Sequence, residues 1–93
     1  MSYGKITKPI QIQSGTINQD HSTQLTVNTM QEFTITVKDV FGKDPQIFLT
    51  PVMWASPREI SAVVKAINHT QIAIRVISSI ATTEWAVHWL AVW

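Results

Sequence analysis

Asp20-His21-Ser22 sets an acid, an imidazole and a hydroxyl in consecutive positions, the residue types of a nucleophilic triad. Neighbouring side chains on an extended chain point in opposite directions, so this run cannot form a triad by itself and reads as a polar loop. The chain has no cysteine, which excludes thiol nucleophiles and disulfides. Its three histidines, His21, His69 and His88, share no ligand spacing, so no metal or cofactor is expected. Three scattered glycines build no phosphate loop. Six carboxylates could supply a glycosidase pair in any protein and therefore specify nothing. The expectation is a chain that binds and does not catalyse.

The binding residue types are more informative. Four tryptophans in 93 residues stand out, because sugar faces and protein partners both favour large amphipathic rings. Trp85, Trp89 and Trp93 share one strand face and read as core or interface. Trp54, beside Pro51 and Ser56-Pro57, is the candidate for a partly exposed ring. Asn68-His69-Thr70 fits the glycosylation sequon but reads as a turn.

Charge narrows the partners. Net charge is +1 and charged residues make up 14 %, against roughly 25 % in ordinary soluble domains. Lys5, Lys8, Lys38, Lys43, Arg58, Lys65 and Arg75 are scattered, whereas a nucleic-acid binder shows a basic stripe. No apolar run approaches the roughly 18 residues of a membrane span, and Met1-Ser2-Tyr3-Gly4-Lys5 leads into no signal-like core. Cytoplasmic synthesis without a signal peptide is expected, with a place in a virion or released particle left open.

Period-two alternation positions these residues. Strands are expected at 10–13 continuing through 16–18, with a bulge or close backbone approach at Ser14-Gly15, and at 24–27, 32–37 and 46–54. Pro51 requires an edge position or a bulge in the last of these. Further strands are expected over 60–67, where β-branched content outweighs a helical spacing, and over 71–77 and 84–93. Short strands separated by polar turns indicate an all-β sandwich, one domain spanning residues 1–93.

The last strand carries Trp85, Val87, Trp89, Ala91 and Trp93 on one face and Ala86, His88, Leu90 and Val92 on the other. A strand over a single core has a polar outer face. Here both faces are apolar apart from His88, which points to contact with a second subunit. Small size without staples points the same way. Arg75 is expected opposite the core face of Ile72, Ile74 and Val76, either solvated or at the interface paired with Glu84. His88 is expected within or beside that interface, so assembly should weaken as pH falls below about 6.

Three segments then form a familiar pattern. Ile12-Gln13-Ser14-Gly15-Thr16-Ile17 is similar to the opening "Q-S-G-x-I" strand of the H-type lectin domain, the family of snail agglutinins and discoidin C-terminal domains. Phe41 followed by Pro45-Gln46-Ile47-Phe48-Leu49 resembles that family's aromatic and "P-x-V-x-(V/L)" strand. Val87-His88-Trp89-Leu90-Ala91-Val92 resembles its closing "V-x-W-x-A-(I/V)" strand, and Val64-Lys65-Ala66 to Ile72 its intervening strands. The resemblance implies a six-stranded antiparallel β-sandwich, a homotrimer, and sites for galactose or N-acetylgalactosamine at subunit boundaries. Family lectins hold the sugar with a Trp and a nearby His or Asp in the loop before the last strand. Ser78 to Glu84 carries neither Trp nor His at that place. The family's binding Arg falls near Arg58, Glu59 or Ser61.

Two functions follow. One is a lectin-like module whose weak sites gain avidity in a trimer, as in cell adhesion. The other is a structural or receptor-binding assembly protein, such as a phage tail knob or adaptor, with the same fold and no sugar recognition. The expected ligand site comprises Asp20, His21, Trp54, Arg58 and Glu84, and the expected oligomer interface comprises Arg75, Ala86, His88, Leu90 and Val92.

Overall fold

The computed structural model of the chain describes residues 10–54 and 59–93. Alternation of apolar and polar residues produces six strands, β1 (Ile12–Ile17), β2 (Gln31–Thr36), β3 (Gln46–Met53), β4 (Ile60–Ile67), β5 (Gln71–Ser78) and β6 (Trp85–Val92). They form two three-stranded antiparallel sheets, ordered β1-β6-β3 and β2-β5-β4. The described residues contain no helix, so none is long and apolar enough to cross a membrane.

The inward positions of both sheets supply one buried cluster. Ile72, Ile74 and Val76 come from the central strand β5, and Trp85, Val87 and Ala91 from the central strand β6. Phe33 of β2 meets Trp85 of β6 with ring centroids 5.4 Å apart, a tilted pair that locks the two sheets together. Burial of these side chains, worth about 1.5–3 kcal/mol each, is the main favourable term for a chain without disulfides.

Hydrogen-bond alternation explains where the awkward residues sit. Trp54 N donates to Glu84 O, so even-numbered residues of β3 face β6 and odd-numbered ones face the open edge. Pro51 is odd and β3 is an edge strand, so its missing N–H costs the ladder nothing. The sequence expectation of an edge position holds. At Gly15 the alternative of a close approach holds: β1 pairs β6 without a register shift, and a Cβ there would lie 2.7–2.8 Å from Trp89 ring atoms. The register shift occurs in β4 between Val64 and Ala66, and 60–67 is a strand.

One expected strand is absent. Residues 24–27 make only isolated bridges, Leu25 with Thr82 and Val27 with Ser78. The first runs antiparallel and the second parallel, so no ladder can propagate through both. Asn28 at φ 51° and a turn from Thr29 N to Thr26 O then end the segment. Its alternation serves to bury Leu25 alone.

Candidate functional site

Strand register gathers three connections at one end of the molecule. Ile17 pairs Val87 and Met53 pairs Trp85 in one sheet, while Gln31 pairs Val76 and Ile60 pairs Ser78 in the other. The segments 18–30 and 79–84 and the strand ends at Trp54 and Glu59 therefore lie at the same end of the sheets.

Asn18 organises the first of them. Its side chain is buried and donates to Thr83 O (3.1 Å) and Trp85 O (2.8 Å), while its Oδ1 accepts from Thr23 N at 2.9 Å. Its φ of 61° is one that Asn adopts more readily than most residues. Trp85 Nε1 adds a bond to Thr23 O at 2.8 Å. Asp20 Oδ1 accepts from Ser22 Oγ (2.8 Å) and Ser22 N (3.2 Å), and these bonds hold its exposed carboxyl below the usual carboxylate range. Inside this frame the His21 ring lies on Trp54, centroids 4.8 Å apart and planes 32° apart. Trp54 remains 49 % exposed.

A depression of about 390 Å³ opens at the same end, lined by Asn28, Glu59, Ser61, Ile77, Ser78 and Ser79 among others. Ser79 Oγ is buried and has no hydrogen-bond partner among the described residues. A buried hydroxyl left unpaired costs about 1–3 kcal/mol, a cost that a polar ligand can remove. Glu59 and Ser61 are two of the three positions left open above as the counterpart of one family contact, and both line this depression.

Of the expected ligand site, Asp20, His21, Trp54 and Glu84 meet at this end. His21 stacks on Trp54, and Trp54 N donates to Glu84 O at 3.0 Å. Arg58 lies outside the described residues. The expected interface set divides. His88, Leu90 and Val92 project from the outer face of β1-β6-β3, flanked in register by Thr50, Phe48 and Gln46. Arg75 does not join them. It belongs to β5 in the other sheet, and its Nε lies 3.6 Å from Glu32 Oε1, not beside Glu84. Lys65 donates to the same Glu32 oxygen at 3.0 Å, and chiefly this bond holds Glu32 below its ordinary pKa. Ala86 is only 2 % exposed within the single chain and has no surface left to offer. His88 Nδ1 lies 3.0 Å from Thr16 Oγ1 of β1.

The sequence reading missed Asn18, Asn28 and the burial of the Ser79 hydroxyl. A lone Asn ending an alternating run before a polar loop was the available signal for Asn18, since Asn both tolerates the left-handed region and bonds backbone at short range. No signal marks Ser79, because its isolation is a property of packing. No group of three or more metal-ligating side chains occurs among the described residues. No protein-family model matches the chain, and neither does any curated protein or solved structure.

Proposed function

We propose that this chain is a non-catalytic, lectin-like module that binds a neutral glycan at its loop-built end and works as a multivalent homotrimer. The observation that carries the reading is the depression edged by Asn28, Glu59 and Ser61, beneath which the Ser79 hydroxyl is buried and unpaired among the described residues. Sugars need hydroxyl, amide and carboxylate partners on rigid supports, because each sugar hydroxyl must recover the bonds it gave up to water. The half-exposed Trp54 ring and the Asp20 and Glu84 carboxylates at the same end supply the further group types that sugars use. Galactose or N-acetylgalactosamine is the first ligand class to test, following the family resemblance. A glycan array on the purified protein is the test. Binding that is lost in Glu59→Ala and Trp54→Ala, with unchanged circular dichroism, supports this site; binding that both variants retain moves it elsewhere.

A second reading has its own support. The outer face of β1-β6-β3 exposes Ile12, Phe48 and Leu90, with Val92 half-buried beside them. Such a contiguous apolar strip suits an assembly protein of a phage tail or similar particle, packing against copies of itself without sugar recognition. An array with no binding from a protein that light scattering finds trimeric favours this second reading.

A further inference from the structure

We infer that a second sugar-binding groove runs along the open side of the molecule between β1 and the chain leaving β2. The depression there measures about 710 Å³, within the roughly 300–1,000 Å³ of small-ligand sites. Gln11, Ser14, Thr36, Lys38, Asp39 and Trp89 line it. It shares no residue with the loop-built depression.

Hydrogen-bond alternation shows what this groove offers. Trp93 N donates to Gln11 O, so the odd-numbered residues of β1 face β6 and the backbone groups of Ser14 face the open side. Val37 N donates to Thr70 O, so Thr36 also turns its backbone groups to the open side, as does Lys38, whose two groups are taken by Gln13. Gln13 bridges the two walls. Its Nε2 donates to Lys38 O at 3.1 Å and its Oε1 accepts from Lys38 N at 2.9 Å, which fixes the groove's width.

The indole N–H groups sharpen the case. Trp85 and Trp93 donate theirs to Thr23 O and Lys43 O, each at 2.8 Å. Trp89 Nε1, held against Gly15, donates to no acceptor among the described residues. A groove with an indole donor unpaired among the described residues, backbone amides, hydroxyls and one charge of each sign suits a neutral ligand that donates and accepts at the same atoms. Sugar hydroxyls do so. The ligand class rests on the function proposed above, whereas the placement rests on this groove alone.

Nitrogen-15 NMR tests it, because the tryptophan indoles and the Gln13 amide give signals apart from the backbone. Galactose is titrated into the full chain to tens of millimolar, the range for weak single sites, with glycerol as control. Saturable movement of the Trp89 indole and Gln13 amide signals with galactose alone is the expected result. Trp89→Phe should weaken it about fivefold, the value of one hydrogen bond. Thr36→Arg, an exposed blocking change, should abolish it with the rest of the spectrum unchanged. If those signals stay fixed, move equally with glycerol, or still saturate in Thr36→Arg, the groove is not a sugar site. Ser79 and Trp54 signals report the loop-built site separately: their movement without Trp89 overturns this inference only, and the reverse overturns the loop-built site only.

Discussion

Gly15 and Trp89 are opposite partners in the β1–β6 register, and the absence of a side chain at one is what admits the ring of the other. A methyl at Gly15 would meet the Cζ2, Cε2 and Nε1 atoms of Trp89 at 2.7–2.8 Å. An indole held between a strand and the core has little freedom to yield, so Gly15→Ala should cost about 1–3 kcal/mol, the usual penalty of overpacking. An unchanged urea midpoint would contradict that close approach. Asn18 is the second decisive residue. Replacing it by Ala removes three hydrogen bonds, strands the buried carbonyl of Trp85 and the half-buried one of Thr83, and places a less tolerant residue at positive φ. A loss of about 2–3 kcal/mol is expected by chemical denaturation. Hydrogen exchange should rise first in the 18–23 and 82–85 segments, since Asn18 is their shared tie.

At the scale of elements, which side of a strand faces solvent matters more than its composition. Pro51 and Thr50 are adjacent in β3, yet only Thr50 turns its N–H toward β6. Pro51→Val should therefore alter stability little. Thr50→Pro should be the more damaging change by about 2 kcal/mol or more, because it deletes a ladder bond and leaves a β6 carbonyl unpaired. Equal thermal midpoints for the two variants would show that the alternation has been assigned to the wrong parity. The 24–27 segment teaches the complementary lesson. Its alternating residues look like a strand, but its neighbours offer one antiparallel and one parallel bridge, and a strand exists only where a partner runs alongside.

For the molecule as a whole, the strip of Ile12, Phe48 and Leu90 on one outer face is apolar surface left to solvent. If it is the homotrimer contact, Leu90→Lys should convert the assembly to monomers in light scattering while leaving the fold intact. Leu90 lies between Ser14 and Phe48 in register, so a charge there falls at the centre of the strip. A wild-type monomer at micromolar concentration would end the oligomer proposal. Arg75 and Glu32 lie on the other sheet's outer face, so Arg75→Ala should not change the mass.

Period-two alternation, β-branched content and turn residues determined that the chain is all-β, that 60–67 is a strand and that Trp85, Val87 and Ala91 point inward, because local backbone preference and apolar burial act residue by residue. They also marked Gly15 for a bulge or a close approach and Pro51 for an edge or a bulge, because glycine and proline carry their constraint in their own covalent structure, and the strand pairing chose the close approach and the edge. Only the tertiary structure decided that β5 and β6, consecutive in sequence, lie in different sheets. That one choice sends Arg75 to Glu32 and away from His88 and Leu90. It likewise decided that His21 meets Trp54, that the Ser79 hydroxyl is buried without a partner among the described residues and that Gln13 spans an open groove to Lys38. These are contacts between residues far apart in the chain or isolations set by surrounding atoms, and they depend on which strands pair, a choice that the alternation within one strand leaves open.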